Sequence, residues 1–197
     1  MLKLSAIGSP PEIDILSSSD ATDGSWQQYD LTSDIQLASY GDRVFLKAAD
    51  ANMRLGSSSN DYWKFSMSGD IDAAGNIMSL LDAESKISSI AGKPYCFNRL
   101  FYDCRTLISP PQLPAIELSE YCYNGLFYNC IKLMYSPELP AKKLAEYCYR
   151  AMFTACNKLQ KAPDLIAEVP YTGCYFYMFN LCKSLASAKI KLQNLVY

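Results

Sequence analysis

The cysteines of this 197-residue chain recur at a fixed interval of 26 residues. All eight lie after residue 92, in two series of four. The first series is Cys96, Cys122, Cys148 and Cys174, and the second is Cys104, Cys130, Cys156 and Cys182. Two further columns keep the same step: Phe101, Phe127, Phe153 and Phe179, and Leu107, Leu133, Leu159 and Leu185. A fixed period of this length is typical of a solenoid, in which each unit buries its apolar side against the next.

Each unit is predicted to contain a helix, a short strand and a proline turn. In the second unit, apolar residues at Leu118, Cys122, Leu126 and Cys130 step by four, as on one face of a helix. A short run follows in which Leu133 faces inward, and Pro137 ends that run because proline cannot donate to a β-ladder. The sequence therefore predicts an α/β solenoid of about four 26-residue units.

The first 84 residues are predicted to form a small β-sandwich. Short apolar or alternating runs lie at 13–15, 26–31, 35–37, 44–46 and 62–67, with turn signals such as Asp23-Gly24 between them. Residues 1–92 carry a net charge of −7, whereas residues 93–197 carry +5, which indicates a boundary near 85–93. The predicted fold class is thus α+β, with a β-sandwich domain at 1–84 and a solenoid domain at 85–197 whose C-terminal end is atypical.

The third unit carries a recognisable pattern of residues. Its members are Leu139-Pro140-Ala141, Leu144, Cys148-Tyr149, Met152-Phe153, Cys156 and Leu159. The pattern resembles the BspA-like leucine-rich repeat of surface proteins from anaerobic gut bacteria, and the resemblance covers about residues 93–190. The segment 75–81 is similar to the junction that joins a small β domain to such repeats. The resemblance implies recognition or adhesion at the cell surface or outside the cell.

Composition excludes several function classes. Histidine is absent, which removes Ser-His-Asp and Cys-His nucleophile systems and every histidine-containing metal site. A net charge of −2 means that the chain as a whole lacks the excess of basic residues typical of nucleic-acid-binding proteins. No stretch approaches the ~20 apolar residues of a membrane-spanning segment. The first residues, Met1–Leu4, are too short for a signal-peptide core, so the chain either is not exported or has a leader outside this sequence.

The cysteines admit three interpretations: unpaired packing thiols, disulfides, or a metal or catalytic site. The two cysteines of one unit are eight residues apart, about 12 Å along a helix, which is too far for a disulfide. In the second series, Cys104–Cys130 or Cys156–Cys182 lie within reach if the strands are ~4.8 Å apart, although with poor geometry. Zinc sites need closer pairs. The favoured prediction is a ladder of buried, unpaired thiols, with no cofactor and no enzymatic activity.

The aromatic residues can be interpreted either as core packing or as exposed binding groups. Trp26, Tyr62 and Trp63 could form a sugar-stacking platform, but core packing is the favoured interpretation. Tyr102 and Tyr128 do not hold their column in every unit, which leaves them free to be exposed.

The face beside the inward leucines is the candidate partner-binding surface. Residues one before and one after each leucine must point outward on a strand. In the first three units these residues are Thr106, Ile108, Lys132, Met134, Lys158 and Gln160. They vary from unit to unit, and the lysines, with nearby Lys161, make the face basic enough to favour an acidic partner.

Two functions remain from different classes. The first is a non-enzymatic recognition or adhesion module that binds a protein or a glycan through this strand face. The second is a structural spacer within a larger surface or virion-associated fibre. Substitution of Lys132 and Lys158 discriminates between them, because only a binding module loses a partner.

Overall fold

The computed structural model describes residues 1–167 and 169–186. The part of the chain before the repeats contains six strands and one 3-10 helix, and the sixth strand, β6 (Ile71–Asp72), pairs with the first unit. The other elements are β1 (Leu2–Ile7), β2 (Ile15–Ser18), β3 (Gln27–Gln28), β4 (Phe45–Ala48), β5 (Tyr62–Met67) and the 3-10 helix Ile77–Leu80. β1 pairs antiparallel with β5, and β3, β2 and β4 form a second antiparallel sheet in that order. Alternate β1 residues, Leu2 and Leu4, are buried, as expected for a strand with one face on a core.

A short parallel pair connects the first part to the repeats. β6 (Ile71–Asp72) lies beside β7 (Leu107–Ser109), with Ile71 opposite Leu107. The pairing continues as a bridge between Asn76 and Gln112. The segment before the repeats therefore lies in register with the first unit.

The predicted fold class, α+β with an α/β solenoid, is wrong. The described residues contain no α-helix, and the chain is nearly all-β with small sheets and many turns. Where a helix was predicted in the second unit, the backbone forms overlapping turns. The N–H of Leu126 donates to the carbonyl of Tyr123, three residues back, at 3.2 Å. The N–H of the next residue, Phe127, instead donates to Met152 of the following unit at 2.9 Å.

The helix-like spacing has a different cause. Tyr121, Gly125 and Asn129 have positive φ angles of 52°, 58° and 59°, so the backbone conformation repeats every four residues. Side chains four apart then share a direction, as they nearly do in a helix. The sequence held a contrary signal, because Asn124-Gly125 and the surrounding cysteines and aromatics are poor helix formers.

Successive units lie parallel, one on another, and equivalent residues are neighbours. Tyr123 donates through its N–H to the carbonyl of Cys148 at 2.9 Å, and the rings of Phe127 and Phe153 stack with centroids 5.6 Å apart. Parallel bridges between Glu117 and Lys143, and between Tyr135 and Lys161, continue the register around the unit. Backbone hydrogen bonds and stacked aromatic rings thus join each unit to the next.

One hydrophobic cluster extends from Leu2 to Met178. Phe65 of β5 stacks on Phe101 at 5.1 Å, and its N–H donates to the carbonyl of Leu100 at 2.7 Å. Phe101 makes the equivalent bond to Leu126 at 3.0 Å, so Phe65 occupies the place of a repeat phenylalanine. Core residues of the two predicted domains, 1–84 and 85–197, pack together in this cluster. The bounds of the two domains stay a prediction.

The predicted atypical C-terminal end, at 189–192, lies outside the described residues. Within the described ranges, no helix has the length and apolar character needed to cross a membrane.

Candidate functional site

The inward leucine column is buried in the first three units. Leu107, Leu133 and Leu159 are each 0% exposed. The six residues beside them are less buried, but they do not form one sheet, because only the first unit contributes a regular strand, β7. In the other two units, a bond from the N–H of Gln160 to the carbonyl of Met134, at 3.1 Å, replaces the regular ladder.

The six candidate residues fall into two groups by exposure. Lys158 and Gln160 are exposed, whereas the other four are half-buried. The hydroxyl of Thr106 is buried without a hydrogen-bond partner, so it is not available at the surface. The exposed part of the predicted face is therefore its third-unit end, where Lys161 is also exposed.

Lys132 has a partner within the chain. Its Nζ forms an ion pair with the carboxylate of Asp70, at the start of the segment that pairs with the first unit. This exposed contact links the second unit to the segment before the repeats. Lys158 forms no salt bridge with any described residue, so its charge is the one more available to a partner.

All eight cysteines are free thiols. Seven are buried and Cys182 is half-buried. Burial raises the pKa of Cys96 and of Cys104 to about 12, and that of Cys122 well above its ordinary value. A thiol with such a pKa is a poor nucleophile and a poor metal ligand at neutral pH. No group of three or more cysteine and acidic side chains is placed to hold a metal ion in the described part of the chain.

The second cysteine series has a hydrogen-bonding role that the sequence did not reveal. The thiol of Cys130 donates to the carbonyl of Phe101, one unit earlier, at 3.2 Å, and that of Cys156 donates to Phe127 at 3.0 Å. In the first series, the Sγ of Cys122 lies 4.0 Å from the carbonyl oxygen of Cys148, at the limit of such a contact. The two series are thus chemically different, although both are buried.

A groove of about 370 Å³ crosses the outer side of the units, away from the leucine column. We name it the Arg–Tyr groove. The described residues that line it are Arg99, Tyr102, Asn124, Gly125, Tyr128, Arg150, Ala151, Thr154, Tyr177 and Asn180. Sequence reasoning indicated that Tyr102 and Tyr128 were free to be exposed, but it did not bring these residues together.

One repeat column shapes the middle of this groove. Arg99, Gly125, Ala151 and Tyr177 are equivalent positions, all with positive φ. The two central members are small and the two outer members are large. A Cβ at Gly125 would lie 3.4 Å from Cγ of Arg99 and 3.9 Å from Cβ of Tyr128. Glycine at this position therefore leaves space in the middle of the groove that a side chain would fill. The signal available in the sequence was this contrast of size within one column.

The groove is basic and partly aromatic. The rings of Tyr102 and Tyr128 stack with centroids 4.7 Å apart. The guanidinium of Arg99 lies 5.4 Å from the Tyr102 ring, and its Nη1 donates to the carbonyl of Ser59 at 2.8 Å. Burial raises the pKa of Tyr102, and the neighbouring Tyr128 raises it further.

The aromatic residues of the first part do not form one platform. Tyr62 and Trp63 are consecutive in β5, so their side chains point to opposite faces. Tyr62 is buried, and Trp63 donates through its indole N–H to the carbonyl of Pro11 at 2.8 Å. The Nζ of Lys47 lies 4.1 Å from the ring centroid of Trp26 and covers that face. These contacts are those of core and edge packing.

Comparison of the chain with known protein families, with curated proteins and with solved structures found no match.

Proposed function

We propose that the chain is a non-enzymatic recognition module that binds an acidic protein or glycan partner at a cell surface. The contrast between fixed interior and varied exterior carries this proposal. Leu107, Leu133 and Leu159 are fully buried and identical. The residues that follow them, Ile108, Met134 and Gln160, differ in every unit, and the position before them is threonine in the first unit and lysine in the next two. A scaffold needs a repeated core but leaves its outer positions free to match a partner.

The exposed third-unit end of the face beside the leucine column supplies the charge for such a partner. Lys158 and Lys161 are exposed beside Gln160, and Lys158 has no acidic partner among the described residues. Exposed basic groups attract an acidic surface over about one Debye length and speed its association. The location at a cell surface rests on the resemblance to BspA-like repeats alone.

A binding screen with matched variants tests the proposal. The native chain is screened against a glycan array and a panel of extracellular host proteins, and each hit is measured again with Lys158→Ala and with Lys142→Ala. Both lysines are exposed, but Lys142 is not beside the leucine column. We expect Lys158→Ala to weaken binding severalfold and Lys142→Ala to leave it unchanged. Lys132→Ala is less suitable, because it also breaks the ion pair with Asp70.

A structural spacer is the second candidate, and the contacts between units favour it. Each unit is joined to the next by parallel backbone hydrogen bonds, and rings stack without interruption from Phe65 to Phe179. Such a stack resists bending. A spacer predicts that neither lysine variant changes any interaction and that the native chain binds no member of either panel.

A further inference from the structure

We propose that the Arg–Tyr groove binds an acidic oligosaccharide, one that carries carboxylate or sulfate groups. The groove is a different surface from the face beside the leucine column, so this inference goes beyond the proposed function. It names a second site and the chemical class of its ligand.

The charge of the groove points to an anionic ligand. Arg99 and Arg150 both line it, and none of its described lining residues is acidic. Neither arginine forms a salt bridge with a described residue. A guanidinium presents paired N–H donors that match a carboxylate or a sulfate, and such charge-assisted bonds are among the strongest in proteins.

The position of the two arginines indicates an oligomer rather than a single small anion. Arg99 belongs to the first unit and Arg150 to the third. Backbones paired in parallel are ~4.8 Å apart, so two steps of the stack separate the arginine backbones by about 10 Å along its axis. A ligand that contacts both must extend across at least one unit and carry acidic groups at more than one point.

The remaining side chains suit a sugar. Tyr177 is 57% exposed at one end of the groove. Tyr102 and Tyr128 cover one face of each other by stacking, and the column continues as Thr154, so no ring of the third unit stacks on the other face of Tyr128. Aromatic faces pack against apolar C–H groups, and the polar groups of Thr154 and Asn180 lie alongside. Apolar ring faces with polar groups at their edges complement a sugar ring, whose hydroxyls surround a C–H face.

The backbone argues against a peptide that binds by adding a strand. That mode needs unpaired main-chain groups at an edge. On the floor of the groove, the N–H of Gly125 donates to Arg150 and the N–H of Ala151 donates to Phe176, each at 2.8 Å. Because these donors are used between units, a ligand here is recognised through side chains, which favours an oligosaccharide over an extended acidic peptide.

Binding of defined probes to the full chain tests the inference. Isothermal titration calorimetry at low ionic strength compares an oligogalacturonate, which carries carboxylates only, with a heparin-derived oligosaccharide, which also carries sulfates. A neutral cello-oligosaccharide and polyglutamate serve as comparison ligands. We expect at least one acidic oligosaccharide to bind, with the anion that binds tighter identifying the preferred group.

Three variants locate the site. Arg150→Ala is expected to weaken binding roughly tenfold or more, and Arg150→Lys less, since lysine keeps the charge but loses the paired donors. Ala151→Tyr is expected to block the groove. Tyr177 already places a tyrosine at the equivalent position with φ of 57°, so the backbone there accepts one. Lys142→Ala, at an exposed lysine that does not line the groove, is the control that leaves binding unchanged. Lys158→Ala is measured beside it to detect a ligand on the face beside the leucine column, and thermal unfolding verifies that each variant is folded.

Several results overturn the inference. They are no binding of either acidic oligosaccharide, equal binding of the neutral one, or polyglutamate binding with the same dependence on Arg150. Binding that survives Arg150→Ala but is lost in Lys158→Ala places the ligand on the face beside the leucine column instead. In that case the groove inference fails while the proposed function stands.

Discussion

The thiol of Cys104 donates a hydrogen bond to the carbonyl oxygen of Phe65 at 3.2 Å. The same bond recurs one unit later, from Cys130 to Phe101 at 3.2 Å. Phe65 belongs to β5 and lies outside the repeats, yet it accepts the bond as a repeat phenylalanine does. Strand β5 therefore covers the N-terminal end of the stack and satisfies the first thiol of the second cysteine series.

Replacement of cysteine by serine is expected to lower the free energy of unfolding by different amounts in the two cysteine series. In Cys130→Ser, the hydroxyl is still placed to donate to Phe101, so we expect a loss of less than about 1 kcal/mol in the free energy of unfolding. In Cys122→Ser, the carbonyl oxygen of Cys148 is already 4.0 Å from the sulfur, and the shorter C–O bond of serine leaves the hydroxyl farther from it. The buried hydroxyl is then poorly satisfied, and we expect a loss of about 1–3 kcal/mol. Urea unfolding of both variants measures the difference. Equal losses would show that the bond to Phe101 contributes nothing.

Alkaline pH is expected to destabilise the chain. Burial holds the pKa of Cys96, Cys104 and Cys148 at about 12, against an ordinary value of 9.0. A raised pKa in the folded state leaves stability unchanged below pH 9.0, but stability falls as pH rises from there towards 12. Each such thiol contributes a loss of about 1.4 kcal/mol per pH unit in that window.

Urea unfolding at pH 8, 9 and 10 measures this slope, and Cys96→Ala provides the control. The variant is less stable at every pH, but its slope above pH 9.0 should be shallower because one buried thiol is missing. A slope that is identical in the variant would contradict the assignment. Buried Tyr123, whose pKa burial also raises, adds to the loss only above pH 10.

Replacement of a non-glycine residue that has a positive φ angle by glycine is expected to stabilise the fold. Ala155 has φ of 61°, which costs a residue with a Cβ about 1–2 kcal/mol relative to the right-handed region. Ala155→Gly removes that cost but adds about 0.5–1 kcal/mol of backbone entropy, so a net gain of up to about 1 kcal/mol is expected. Ala145, which is not a positive-φ residue, is the matched control. Ala145→Gly should destabilise, and a thermal melt of both variants compares them.

The phenylalanine column predicts a position-dependent loss. Phe127 is fully buried and stacks on Phe101 and Phe153, so Phe127→Ala should cost about 3–5 kcal/mol. Phe179 is half-buried and stacks on Phe153 at 5.7 Å, so Phe179→Ala should cost clearly less. Chemical denaturation of the two variants tests this order. Similar losses would mean that the two rings contribute equally despite their different burial.

The sequence by itself determined the repeat, its period and its interior. The identical spacing of the cysteine, phenylalanine and leucine columns predicted which side chains would be buried, and Cys122, Phe127 and Leu133 are all buried. This succeeded because burial selects residue type at each position independently of backbone conformation. The prediction that the thiols pack as buried side chains agrees with the structure at seven of the eight cysteines, for the same reason.

Only the tertiary structure decided the backbone of each unit and the groove on its surface. A side-chain period of four fits a helix, but it equally fits turns in which Tyr121 and Gly125 take positive φ and every second N–H bonds to the next unit. Those bonds join residues about one period apart, so no local pattern encodes them. The groove arises similarly, because Arg99 and Arg150 come together only when the units stack.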